Sequence, residues 1–581
     1  MAENHKHVIY QIFNRTFGNS KKQNSYNGTI EDNGSGKFND INDKALQSLK
    51  KFGITHAWYT GVIAHASLTD YSQNGIAPDH PSIVKGIAGS PYAIRDYYDV
   101  DPDLAVKVDQ RMQEFESLIH RTHQNGLKAI IDFVPNHVSR QYKSKVHPQG
   151  VRDFGQDDDS SLSFSPSNNF YYIPNEDFTV PSEVAPPIAF DSPYTESPAK
   201  ATGNDVFHSQ PHINDWYETI KLNYGVDYLN GRVTHFDPIP STWQKMYDIL
   251  AYWTGKGIDG FRCDMAEMVP VEFWGWVIEK IKQLNPKIIF IAEIYNPGEY
   301  HNYLFTGKFD YLYDKVGLYN TLRPLMEGNG YASDITRIWQ QESGNFSERM
   351  LRFLENHDEQ RIASKFFAGN PWAAIPAITL CATMHSGPFM IYAGQELGVN
   401  PTQPEGFQGD DGRTSIFDYW AIDEFQAWCN HGKYTIQQLN PETKKLRGFY
   451  QNLNHFIQTN EAVNSGEFYD LQYFNMEGKS QNYDASRMYC YLRHSANQHL
   501  LFIYNFDQTQ TFSTQIKIPP HAWTETLGLQ NTGDYILKPV FPLLESYPQI
   551  HPEEITSSGV ALTMQPNSVL VLEIVLKTAA S

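Results

Sequence analysis

The stretch that decides the fold is KGIDGFRCDMAEMVP, residues 256–270. It sets two full charges, Arg262 and Asp264, into an otherwise apolar segment, with Gly257 and Gly260 before them and a long amphipathic run behind. Side chains two apart on a strand share a face, so Arg262 and Asp264 point one way while Phe261 and Cys263 point the other. Behind the strand, Pro270 suits the first turn of a helix, and Phe273, Val277, Ile281 and Leu284 recur at helical spacing until Asn285-Pro286 stops the run. A strand ending in charges and followed by an amphipathic helix is one unit of a β/α protein.

Similar units recur. Apolar, β-rich segments stand near residues 10 (HVIYQIF), 57 (ITHAWYTGV), 131 (KAIIDFV), 291 (KIIFIAEIY), 312 (FDYLYD), 354 (RMLRFLENHD) and 391 (PFMIYAGQE), with helical patterns between them. Together with IDGFRCD they predict an α/β fold whose eight parallel strands close into a (β/α)8 TIM barrel. Two regions break the alternation. Residues 138–230 are rich in Ser, Pro, Asp, Asn and Tyr with little periodicity, too long for an ordinary loop, and are read as a subdomain inserted after the third strand. From about 460, RMYCYLRH, HLLFIYNF, TFSTQIKI and SVLVLEIVL predict short strands without helices, a C-terminal antiparallel β-sandwich. The expected divisions are barrel 1–137 and 231–458, insert 138–230 and sandwich 459–581.

Composition limits what such a fold could bind. With 581 residues the chain is too long for one core, and 40% hydrophobic content is ample for folding. A formal net charge of −20 repels phosphate backbones and anionic lipid, which argues against nucleic acid or a membrane surface and for a neutral or cationic ligand. The four cysteines, Cys263, Cys381, Cys429 and Cys490, form no CxxC pair, so they read as free buried thiols rather than a disulfide framework or a thiolate metal site. No apolar run reaches membrane-spanning length, and the start MAENHKHVIYQIF lacks an apolar signal core. The sequence as it stands is expected in the cytoplasm, with the periplasm or secretion as the alternative if a signal was removed. Oligomeric state is not legible.

The far ends of parallel barrel strands open onto an active-site mouth. There, Arg262 would keep Asp264 ionised, as a carboxylate nucleophile requires, although a structural ion pair explains that one segment equally well. Glu293 follows apolar Phe290, Ile291 and Ala292, a partly desolvated place where an acid can hold a proton to donate. FLENHDEQR puts His357 and Asp358 at another strand end, and IIDFVPNH puts Asp132, Asn136 and His137 at a third. Singly, each is more often structural. Jointly, Asp264, Glu293 and Asp358 converge on one mouth from the fourth, fifth and seventh strands. An ionised carboxylate opposite a protonated one, ~5–5.5 Å apart, is the machinery of retaining glycoside hydrolysis.

DFVPNH (132–137), GFRCDMAE (260–267), IAEIY (291–295) and ENHDEQR (355–361) resemble, in order, the four signature segments of glycoside hydrolase family 13, the α-amylase family. The resemblance extends to the insert and the C-terminal sandwich, which match that family's B and C domains. It implies Asp264 as nucleophile with Arg262 beside it, Glu293 as general acid/base, and Asp358 as transition-state stabiliser. It further implies that His357 and His137 bind the sugar being cleaved, and that Asp132 supports its strand end. GSPYAIRDYYDVDP is similar to the family's loop after the second strand, making Tyr92 the stacking ring. GPFMIYAGQE (387–396) is similar to its eighth-strand segment. Asn136 matches a calcium ligand of many members, so a structural calcium is a candidate, with no cofactor needed for the chemistry.

Glu267 stands where many α-amylases carry a basic residue on the leaving-group side, a departure from plain endo-α-amylase specificity unless it is a surface acid. The expected activity is hydrolysis of α-1,4 bonds in starch-like glucans or malto-oligosaccharides. Alternatives are a transglycosylase with the same site, an inactive carbohydrate-binding homologue, and a metal-dependent barrel hydrolase, for which His137 and His357 lack a partner histidine at ligand spacing.

Overall fold

A computed structural model of the protein describes residues 6–476, 478–542 and 549–577. The chain ends included in the first and last expected divisions therefore lie partly outside the described residues.

The eight predicted strands form one parallel sheet: β1 (Val8–Phe13), β2 (His56–Thr60), β3 (Lys128–Phe133), β4 (Gly260–Cys263), β5 (Ile289–Ala292), β6 (Tyr311–Tyr313), β7 (Met350–Leu351) and β8 (Phe389–Tyr392). Their spatial order is the chain order from β1 to β7, with β8 on the other side of β1. A parallel bridge between Arg352 and Phe389 brings the β7 and β8 edges together, so the sheet curls into the expected barrel. Helices fill the connections, among them α1 (Asp43–Lys51), α2 (Arg111–Gln124), α3 (Ser241–Gly255), α4 (Val271–Leu284), α5 (Tyr300–Phe305), α6 (Asn320–Met326), α7 (Ile375–Thr383) and α8 (Pro441–Thr459). In α4 the expected apolar face holds for Phe273, Val277 and Ile281, joined by Trp274 and Ile278, all buried. Leu284 departs from it: the last residue of the helix, it is 54% exposed. Pro270 caps α4 from outside rather than occupying its first turn.

The lumen explains the charge in β4. Seven strands each give one apolar residue to a single inner cluster: Ile9, Trp58, Ile130, Ile291, Tyr313, Leu351 and Met390. Register sets Arg262 of β4 level with Asp132 on one side and Ile291 on the other, so the one strand that gives the cluster no apolar residue puts an arginine beside it. Its neighbours Phe261 and Cys263 face outward into the cluster shared with the helices, as period-two alternation requires.

After β3 the chain leaves the barrel through His137–Ser139, which pairs antiparallel with Thr219–Lys221, and forms two further small pairs, Tyr172–Ile173 with Ala199–Lys200 and Val226–Asp227 with Val233–Thr234. The last of these straddles residue 230, so the expected division there falls inside a hairpin, and the chain resumes barrel packing at α3. Beyond α8, a six-stranded antiparallel sheet that includes Met488–His494, His499–Asn505 and Ser568–Leu576 faces the pair Phe512–Ile516 and Val560–Met564 across a separate core. It is tied to the barrel at α7, where Thr383 Oγ1 lies 2.7 Å from the Tyr491 hydroxyl. All four cysteines are free and buried.

Candidate active site

A pocket opens at the C-terminal mouth of the barrel, lined by Tyr92, His137, Asp264, Glu293 and Asp358 together with Trp216, Phe417 and Tyr295. Thus five of the predicted residues converge there. Arg262 and His357 sit directly beneath it. Trp216, Phe417 and Tyr295 were not anticipated.

Arg262 is fully buried. Isolating a guanidinium from water costs several kcal/mol, and that cost is offset only where the charge is paired. Here it is paired twice: Nη1 donates to Asp264 Oδ1 at 2.8 Å, and Nη2 lies 2.7 Å from Glu293 Oε1. Asp132 Oδ1 adds a longer contact at 3.4 Å, and Nε donates to the Tyr313 hydroxyl at 3.1 Å. The expected pairing of Arg262 with Asp264 is present, and the guanidinium is shared with Glu293. Residue alternation places side chains on a face of one strand, but here the fork reaches across to β5 as well.

The electrostatics change accordingly. Burial, and next the neighbouring Glu293 carboxylate, push the Asp264 carboxyl well above the usual range, while Arg262 pulls it down. One guanidinium thus faces two desolvated carboxylates, and its charge is divided between them. Removing the guanidinium should then act on the pair. In Arg262→Leu both limbs of the pH profile of kcat/KM should move to higher pH, with a loss of about 3–5 kcal/mol of stability from the buried charges left unpaired. A pH–rate series beside a denaturant titration checks this; movement of the acidic limb alone would confine the guanidinium's influence to Asp264.

Glu293 is held on both oxygens. Oε2 accepts from the Met265 N–H at 2.7 Å and Oε1 from the Tyr295 hydroxyl at 2.6 Å. Met265 takes a left-handed conformation, φ +42° and ψ 45°, uncommon for a side chain without local hydrogen bonding. That turn, directly after Asp264, aims its N–H at the acid on the next strand.

The third acid has a different environment. Asp358 keeps a side chain 40% exposed, and its Oδ2 lies 3.0 Å from His357 Nε2. Desolvation pushes its carboxyl up, but the His357 charge and hydrogen bond, then Arg262 and Arg413, prevail and bring it to about 2, so it is anionic throughout the neutral range. His357 Nδ1 meets the Gln11 amide at 2.9 Å, and its ring stacks on Tyr92 at 5.0 Å between centroids. The Tyr92 hydroxyl is 2.6 Å from His357 Nε2. His137 is driven down to about 3 by burial and then by the Lys221 charge, which leaves it a neutral ring able to donate to and accept from hydroxyls. Asp132 accepts from the Trp58 indole at 3.0 Å, anchoring the end of β3.

Asn136 does not fit the candidate calcium site. Its Oδ1, the atom that would meet a hard cation, accepts from Lys221 Nζ at 2.7 Å, and that ammonium pairs with Asp205 at 2.6 Å. Calcium takes six to eight oxygen ligands. Among the described residues no group of three or more His, Cys, Asp or Glu is arranged to hold a metal. The ammonium already supplies positive charge at the junction of barrel and insert. Excess chelator should leave the melting temperature and turnover unchanged, and Lys221→Met should lower the melting temperature by several degrees; a fall on chelation would contradict this.

Glu267 is not a free surface acid. It is half-buried, and its Oε2 accepts from the N–H groups of Tyr295 and Asn296, each at 3.1 Å.

Comparison with known proteins gives the family and the fold. The family model for the α-amylase catalytic domain matches residues 11–452. α-Amylase 3 of Dictyoglomus thermophilum is 24% identical over 79% of this chain and 78% of its own length. Trehalose-6-phosphate hydrolase of Bacillus subtilis is 23% identical over 90% and 94%. The acarbose-complexed α-amylase of Geobacillus thermoleovorans superposes with a TM-score of 0.61, at 18% identity over 99% of each chain.

Proposed function

The chain belongs to the α-amylase family of glycoside hydrolases, and on that premise we propose that it cleaves α-1,4-glucosidic bonds of starch-like glucans or malto-oligosaccharides with retention of configuration. The observation that carries this reading is the single guanidinium holding one oxygen each of Asp264 and Glu293. Carboxyls within reach of one fork suit the ~5–5.5 Å spacing of retaining enzymes, whereas inverting enzymes separate theirs by ~6.5–9.5 Å to admit a water.

In the first half-reaction Glu293 gives its proton to the glycosidic oxygen while an Asp264 oxygen attacks the anomeric carbon. The C–O bond breaks, the leaving sugar departs as an alcohol, and a glycosyl ester joins the ring to Asp264. Glu293, now ionised, takes a proton from water, whose oxygen attacks the same carbon and releases Asp264. Asp358, anionic and half-exposed at the mouth, stabilises the oxocarbenium-like charge. His137, His357 and Tyr92 hold the ring.

Beside the pocket, on the Glu267 side, lies a groove of ≈ 500 Å³ whose lining includes Tyr228, Arg232, Glu267, Glu272 and Glu299. Three carboxylates against one arginine favour a neutral leaving group over a phosphorylated one. This sets the reading apart from the substrate named for the Bacillus subtilis relative.

Incubation with maltoheptaose, pullulan, isomaltose and sucrose, with products identified, tests the proposal. Shorter malto-oligosaccharides, appearing first as α-anomers, are expected. Turnover of isomaltose or sucrose with maltoheptaose untouched would overturn the linkage. Longer oligosaccharides at high acceptor concentration would assign transfer in place of hydrolysis.

A further inference from the structure

Glu293 is bound to the rest of the site through a second chain of contacts that the reaction scheme does not use. The Tyr295 hydroxyl donates to Oε1 at 2.6 Å, two residues along the same strand end. The backbone that carries Tyr295 is itself fixed, because Glu267 Oε2 accepts both the Tyr295 and the Asn296 N–H. Glu267 in turn stands on the short turn after β4, three residues past Asp264. There the Tyr303 hydroxyl donates to its carbonyl oxygen at 3.1 Å and to that of Val269 at 3.0 Å. The ends of β4 and β5 are thus laced together by a carboxylate to backbone clamp, which presents one phenol to the acid/base.

We infer that Glu267 and Tyr295 are positioning residues for the proton transfers of Glu293: Glu267 anchors the turn at 295–296, and Tyr295 holds Oε1 and stabilises the ionised form of that carboxylate. The inference rests on the hydrolase reading above. Glu267 is well placed for this because a carboxylate oxygen with two lone pairs can accept two adjacent N–H groups, a geometry that a basic side chain at that position cannot supply. Tyr295 contributes a donor that strengthens when Glu293 is charged. It therefore serves the second half-reaction, in which Glu293 must be an anion able to take a proton from water, and restrains how strongly the acid keeps its proton in the first.

The test is a set of variants measured against pH. Tyr295→Phe removes only the hydroxyl; kcat on maltoheptaose should fall about tenfold, near the worth of one hydrogen bond to a charged group. KM should change less than about twofold, and the basic limb of kcat/KM should move up by about one pH unit, because the charged form has lost a donor. Glu267→Ala should give a shift in the same direction, and the double variant should be no worse than the more affected single one, since both act through the same phenol. Glu267→Gln, whose amide oxygen can accept both N–H groups, should restore most of the activity. A basic limb unmoved in Tyr295→Phe, or single effects that simply add in the double variant, would overturn the inference while leaving the hydrolase reading intact. Absence of turnover by the unmodified protein on every α-glucoside would overturn both.

Discussion

Asp264→Asn should reduce turnover on malto-oligosaccharides by a factor on the order of 10⁴ or more, the scale seen when a covalent nucleophile is removed. The amide is nearly isosteric with the carboxyl, and Arg262 Nη1 can still donate to its oxygen, so the barrel should fold and its melting temperature change little. The loss is chemical. An amide oxygen is a poor nucleophile for the anomeric carbon, and the ester that conserves configuration cannot form. Measuring kcat/KM and the melting curve on the same preparation separates the effects: a properly folded variant with near-normal turnover would remove Asp264 from the mechanism.

Glu293→Gln is the second large effect, and its size should depend on the substrate. General acid help is worth ~10²–10⁴-fold where the leaving group is a sugar alcohol, and far less where it departs readily as an anion. Maltoheptaose hydrolysis should fall by about that factor, whereas the first step on an activated aryl α-glucoside should persist and give a burst of released phenol. The second step should then be slow, because Glu293 also takes the proton from water, and an added small anionic nucleophile should relieve it. The amide can keep the Tyr295 and Met265 contacts only in part, since its oxygen accepts at one end alone. Equal loss on both substrates would mean that Glu293 is not the acid.

Much of this site was readable from residue order because the chemistry sits at strand ends, where period-two alternation assigns faces. Arg262 and Asp264 share the inner face of β4, and Ile291 and Glu293 follow the same rule on β5. All eight strands were visible as short apolar runs between helical patterns. Contacts made across strands were not. Nothing in GFRCD says that the guanidinium also reaches Glu293, since alternation assigns faces, not distances between neighbouring strands. Trp216 and Lys221 lie in the irregular insert, where no periodicity exists to place them, and both reach the site only because His137–Ser139 pairs with Thr219–Lys221. Phe417 comes from the long connection after β8. Tyr295 and Glu267 were in quoted motifs, but their link is a side chain to backbone bond that spacing does not encode. Leu284 kept the helical period and still faced solvent at the last position of its helix, since the period assigns a face and not the depth of packing at a helix end.

The reaction should pass through a covalent glycosyl ester on Asp264, formed while Glu293 protonates the departing oxygen. A 5-fluoro-α-glucosyl fluoride reacts through the same first step but leaves an ester that hydrolyses slowly, so the intermediate can be accumulated, digested and weighed. The peptide containing Asp264 should gain the mass of one fluoroglucosyl residue, and the Asp264→Asn protein should gain none. A label on a different residue, or inactivation with no covalent adduct on any peptide, would contradict the claim.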